Sequence, residues 1–208
     1  LRYPGGKSRA VKHILPHFPE DVTEVCSPFL GGGSVELALA EKGVWVYGYD
    51  TFEPLIWFWR ALLGNPDALA NEADSLRKYK DYYYGYRGLP KEDFNLIKEE
   101  LRNEEKYSLQ NAAKFYALNR SSFSGATLSG GWSKRASYER FTDSSITRVR
   151  EFSQPKLYVA AQHFKHSIPA HPKTFLYLDP PYLLGKDKEN LYGDAGNKHK
   201  GFDHAGLV

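Results

Sequence analysis

Val11, Ile14, Leu15 and Phe18 recur at helical spacing between Ser8, a residue type that caps helix starts, and Pro19, which ends the pattern. Residues 23–26 predict a short buried strand, and the glycine-rich turn of residues 28–33 follows it. Val35, Leu37, Ala38, Leu39 and Ala40 predict a helix over 34–42, with Gly43 where a stop glycine belongs. Residues 44–49 predict a second strand, which ends on Asp50. Strand, glycine turn, helix, strand and acid, in that order, make half of a Rossmann-like α/β unit.

From 65 to 120 the pattern turns helical and tyrosine-rich, and strand signals vanish. Phe94, Ile97 and Leu101 are periodic, then Ala113, Tyr116 and Ala117. Residues 119–141, rich in Ser and Gly with Phe123 and Trp132 interleaved, predict a loop or hairpin rather than a core element. Strand periodicity returns at 157–160 and 175–178. An α/β core split by an inserted lobe at 65–155 is therefore expected.

Composition narrows the class. With 41% hydrophobic and 25% charged residues among 208, the chain falls with folded globular proteins rather than disordered ones. The single cysteine, Cys26, excludes an internal disulfide framework and cysteine-rich zinc modules, and it fits a reducing, cytoplasmic setting. Every apolar run is too short for a membrane span, so no membrane partner is expected. His163, His166 and His171 are unevenly spaced and lack a carboxylate partner, so no metal site is expected. The chain contains no Met and stops just as residues 202–207 begin to read as a helix, which predicts a longer protein. The net charge is only +3, but residues 119–150 hold six basic side chains against Glu139 and Asp143. Positive charge is thus concentrated in that segment.

Five segments carry candidate chemistry. A glycine turn at 31–33 lets a ligand approach the backbone, although it serves equally as a tight strand-to-helix turn. Asp50, at the end of the second strand, is placed to accept hydrogen bonds from ribose hydroxyls, or else to cap the next helix. In Asp179-Pro180-Pro181-Tyr182, two prolines fix the turn and remove two donors. The Asp179 carboxylate and the Pro180 carbonyl can then accept both hydrogens of an exocyclic amino group, and Tyr182 can lie on the ring that bears it. An aryl amine needs this help, because its lone pair is delocalised until two acceptors draw the nitrogen toward tetrahedral geometry. Tyr3-Pro4-Gly5-Gly6-Lys7 is a second glycine turn ahead of a helix, with Lys7 able to reach a ligand and Tyr3 alongside. Around 119–150, aromatic, hydrogen-bonding and basic side chains alternate in the manner of a nucleic-acid-contacting loop.

Taken together, these motifs resemble the Dam-type (alpha-group) DNA adenine N6-methyltransferases. That family orders an N-terminal Tyr/Trp-x-Gly-Gly-Lys motif, a Pro-Phe-x-Gly-x-Gly motif, a target-recognition insertion and Asp-Pro-Pro-Tyr; here they are residues 3–7, 28–33, about 65–155, and 179–182. Asn119-Arg120 followed by Phe123-x-Gly125 is similar to the family's recognition hairpin. The resemblance implies an α/β fold, a Rossmann-like class I S-adenosylmethionine-dependent methyltransferase sheet with an inserted, mainly helical target-recognition lobe. Its catalytic domain would be 1–64 with 156–208, incomplete at the C-terminus, and the insertion 65–155. It further implies S-adenosyl-L-methionine as methyl donor, with Phe29, Gly31 and Gly33 lining its site, Asp50 on its ribose, and Tyr3, Lys7, Phe164 and Asp179 in contact with it or with the target base. Methyl transfer would run directly to N6 of an adenine flipped out of double-stranded DNA, with Asp179, Pro180 and Tyr182 catalytic. Asn119, Arg120, Ser122, Phe123, Trp132, Lys134, Arg135 and Arg140 would face the DNA. One departure is His163-Phe164, where the family often has Asp-Phe. A cognate restriction endonuclease is a candidate partner and a monomer is expected. The competing readings are a methyltransferase of the same fold acting on RNA or a protein amide, a nicotinamide-dependent oxidoreductase, and a non-catalytic DNA-binding protein.

Overall fold

The computed structural model describes residues 1–79, 85–182 and 202–207. A one-turn helix α1 (Val11–Ile14) runs into a 3-10 turn at Leu15–His17, where Pro16 removes a donor the α ladder would need. The cap position belongs to Ala10, not to Ser8 as the sequence suggested.

Strand β1 (Glu24–Ser27) lies at the centre of a parallel sheet, with Val25, Cys26 and Ser27 completely buried. Helix α2 (Ser34–Glu41) follows it, and β2 (Trp45–Asp50) returns alongside, pairing Val25 with Val46 and Cys26 with Tyr47. Gly43 has φ of 92°, the left-handed turn that only glycine adopts without strain, so the predicted helix stop holds.

Helix α3 (Glu53–Gly64) was not singled out by periodicity, because it is buried from Pro54 through Trp59 on nearly every side. It packs between the sheet and the helices that follow. Those are α4 (Pro66–Ser75), a two-residue ribbon of β3 (Lys78–Tyr79) and β4 (Arg87–Gly88), α5 (Lys91–Asn103), α6 (Leu109–Ser121), α7 (Lys134–Arg140) and α8 (Asp143–Arg150). The antiparallel β3–β4 pair corrects the expectation that strands vanish between 65 and 120. Two-residue strands are too short for alternation to show. Arg77, only 2% exposed in its side chain, holds this corner by pairing with Asp74 at 2.7 Å and Asp143 at 2.5 Å.

α6 is the hub of the helical part. Tyr116 stacks on Phe58 of α3 at 5.5 Å, and Phe115 meets Phe52 edge-on, so the helices and the sheet share one apolar core. β5 (Leu157–Ala161) then pairs with β2, α9 (Phe164–Ala170) crosses, and β6 (Phe175–Leu176) pairs with β1. The sheet order is β5-β2-β1-β6, all parallel, which is the Rossmann order 3-2-1-4 when only its own strands are counted. β6 covers two of the four predicted positions.

Segment 119–141, expected as a loop or hairpin rather than a core element, enters the core. Ser122 and Trp132 form an antiparallel bridge, as a hairpin would, but Leu128, Ser137 and Phe141 are completely buried, and α7 occupies its second half. Serines and glycines here let the chain turn tightly into the core instead of out to solvent.

Candidate active site

Ligand crevices in such sheets open beyond the carboxyl ends of the strands, where the order reverses. Here the reversal lies between β1 and β6. A pocket opens there, lined by the 28–33 turn after β1, by Asp50 at the end of β2, by residues 179–182 after β6, by Tyr3–Lys7 of the N-terminal segment, and by Phe164 and Phe202.

The turn is shaped by its glycines. Gly31 and Gly33 have φ of 50° and 66°. A Cβ on Gly33 would stand 2.7 Å from the Trp59 ring, whose Nε1 donates to the Gly31 carbonyl at 3.2 Å. Asp50 secures the other side: its carboxylate accepts from Gly31 N at 3.0 Å and from Phe52 N at 2.9 Å. Phe29 meets Phe164 at 5.7 Å and Phe202 at 5.6 Å, forming an aromatic wall suited to a flat ring. In the departure from the family pattern, His163 caps α9 by accepting from Lys165 N, while Phe164 keeps its place in the wall. A glycine-opened backbone, a carboxylate at the end of β2 and an aromatic wall fit a nucleoside.

Across the pocket, Asp179 is doubly engaged. Lys7 Nζ donates to its Oδ2 at 2.5 Å, and the Tyr182 hydroxyl donates to its Oδ1 at 3.0 Å. Lys7 also donates to Gly5 O at 2.9 Å and stands 5.0 Å over the Tyr182 ring. Partial burial lowers the Lys7 pKa, but the hydrogen bonds to Asp179 and Tyr182 outweigh that, so the ammonium stays above the usual lysine range. Tyr182 is half exposed beside the acid.

Glu36, in the first turn of α2, was missed by sequence reading. It is 3% exposed, lines the pocket and accepts from Ser27 Oγ at 2.6 Å. Burial raises its pKa to about 7, although the Ser27 hydrogen bond works the other way. Its signal was an acid three and four positions before Leu39 and Ala40, hence on the apolar face. Tyr177 and Phe202 also line the pocket without having been singled out.

The eight residues expected on a DNA face separate into two groups. Asn119 is 1% exposed: its amide donates to Arg2 O at 2.5 Å and Gly125 O at 3.2 Å. Ser122 Oγ accepts from Thr127 N, Arg120 donates to Arg140 O, and Trp132 Nε1 donates to Leu89 O at 2.9 Å. In these four the named polar atoms are engaged by the protein's own backbone, Asn119 and Ser122 in full burial and Arg120 and Trp132 in partial burial, as the need to satisfy buried backbone carbonyls and amides requires. Phe123 is 72% exposed, Lys134 and Arg135 are exposed, and Arg140 is partly so. Ser124 and Thr127, both non-glycine at φ of 55° and 49°, bend the chain beside Phe123.

Among the described residues, no group of three His, Cys, Asp or Glu side chains is placed to hold a metal, and no helix is long and apolar enough to cross a membrane. The chain is 22% identical over 218 residues to the Type II methyltransferase M1.LlaDCHI of Lactococcus lactis subsp. cremoris, spanning 100% of this chain and 72% of that protein. Residues 3–207 match the family described as D12 class N6 adenine-specific DNA methyltransferase. Parallel sheet, pocket and sequence agree: the chain belongs to the D12 class N6 adenine-specific DNA methyltransferase family.

Proposed function

We propose that this pocket binds S-adenosyl-L-methionine and a flipped-out adenine side by side, with 1–64 and 156–208 forming the catalytic domain and 65–155 the target-recognition insertion. The observation that carries this reading is the convergence of Lys7, Asp179 and Tyr182 on the pocket whose other wall is the Asp50-braced glycine turn. The cofactor supplies a methyl group activated on a sulfonium. Asp50 and the turn at Gly31 and Gly33 hold its ribose, Phe29 and Phe164 its adenine ring, and Lys7 and Tyr3 flank its other end.

Asp179 and the Pro180 carbonyl accept the two hydrogens of the target amine and aim its lone pair. To do so, Asp179 exchanges Lys7 or Tyr182 for the incoming amine. Tyr182 then stacks on the extruded base. Flipping costs a few kcal/mol, and fixing two reactants in line supplies up to about 7–11 kcal/mol of barrier reduction. On the DNA side, Phe123 enters the duplex, while Lys134, Arg135 and Arg140 meet phosphates. Arg120, Asn119, Ser122 and Trp132 hold the loop in shape.

The protein acts as a monomer on duplex DNA, and the Type II name of the Lactococcus relative supports pairing with a cognate restriction endonuclease. The test is incubation with unmethylated DNA and labelled S-adenosyl-L-methionine, followed by nucleoside mass spectrometry. N6-methyladenine at one short motif is expected; label absent from DNA overturns the reading.

A further inference from the structure

The pocket wall holds a buried carboxyl with no part in the chemistry above. Glu36 is buried at the head of α2, and what surrounds it favours charge without supplying a counter-charge. Ser27 donates to it, and so do the backbone amides of Val35 and Glu36 at the positive end of the helix. Opposing ionisation are burial itself and the negative charge of Asp179 beyond β6. Tyr177, the residue after β6, stays neutral, its pKa raised by burial and then by Asp179 and Glu36. The pocket's lysine, Lys7, pairs with Asp179 rather than with Glu36. The other titratable groups of the lining are Asp50, engaged by backbone amides, and Tyr3, Tyr182 and His163. Three carboxyls (Glu36, Asp50, Asp179) against Lys7 make a pocket that suits a cationic ligand.

We propose that Glu36, oriented by Ser27, is the counter-ion for the positive charge at the methionine end of the cofactor, and that cofactor binding ionises it. This rests on the cofactor reading above. The empty pocket then holds a proton on Glu36 near neutral pH, and the bound pocket does not. A proton leaves to solvent as the cation enters. Affinity therefore rises with pH up to the point where Glu36 is already ionised in the empty protein, and is level above it.

Calorimetric titration of the full chain tests this, with S-adenosyl-L-methionine and S-adenosylhomocysteine as separate probes, in two buffers of different ionisation enthalpy. Proton release on binding is expected for the wild type at mildly acid pH and is abolished in Glu36→Gln, which also binds about tenfold more weakly at alkaline pH, the loss of one hydrogen bond to a charged group. Weakening of both probes assigns the α-ammonium as the charge sensed. Weakening of S-adenosyl-L-methionine alone assigns the sulfonium. Ser27→Ala keeps the carboxyl and removes its donor, so the pH at which affinity levels off should move upward; this variant decides if Glu36→Gln does not fold. Unchanged affinity and proton release in the variants overturns the inference while leaving the cofactor reading intact. Failure of the wild type to bind either probe overturns both.

Discussion

Lys7 Nζ lies 2.5 Å from Asp179 Oδ2 across 172 positions of sequence, closing the pocket from opposite ends of the chain. The other carboxylate oxygen accepts from the Tyr182 hydroxyl, and Lys7 stands over the ring of Tyr182. Asp179→Asn keeps the shape of the side chain but loses the anion. Methyl transfer is expected to fall by at least about a hundredfold, the scale of losing one aimed polar group, with S-adenosyl-L-methionine affinity largely retained. A methyl-transfer assay beside calorimetry measures both, and a normal rate would remove Asp179 from the mechanism.

Gly33 combines φ of 66° with a Trp59 ring 2.7 Å from where a Cβ would stand. Gly33→Ala is therefore expected to lose about 1–3 kcal/mol of stability from backbone strain alone, and to weaken cofactor binding because Trp59 can no longer fix the Gly31 carbonyl. Chemical denaturation and cofactor titration check the two effects.

Phe123→Ala separates DNA contact from folding. The ring is 72% exposed, so stability should change by less than about 0.5 kcal/mol, as at ordinary surface sites. If the ring enters the base stack, losing about 1–3 kcal/mol of stacking should raise the KM for DNA roughly tenfold or more. An unaltered KM would place the DNA elsewhere.

Asn119 gives the opposite pattern. Its buried amide ties Arg2 to Gly125, so Asn119→Ala should destabilise the protein by about 1–3 kcal/mol, the cost of orphaned buried partners. The recognised DNA motif should stay the same. Sequencing of methylated sites would show a relaxed motif if Asn119 read a base.

Glu36 adds a pH signature to the empty protein. Its folded pKa, about 7, stands above the ordinary 4.5, so the native state binds more protons between these values. Stability contributed by the protonated form is full below pH 4.5 and is lost as pH rises through 7. The loss amounts to about 3 kcal/mol at most, at 1.36 kcal/mol per unit. Glu36→Gln should remove that slope, as read by denaturant unfolding at pH values on either side of the window.

The order of motifs in the sequence determined the family, the parallel unit of β1, α2 and β2, and the positions of Gly31, Asp50 and Asp179, because those depend on local backbone geometry and on residue types with few substitutes. Helix α3 escaped a periodic reading, since a helix buried all round carries no polar stripe. Only the tertiary structure showed that Asn119 and Ser122 point inward while Phe123 points out, since such neighbours look alike until the Arg2 carbonyl takes the Asn119 amide and the Thr127 amide donates to the Ser122 hydroxyl. The same holds for Glu36: its place on α2 is local, but its burial against Ser27 and within reach of Asp179 exists only once β1, α2 and β6 meet.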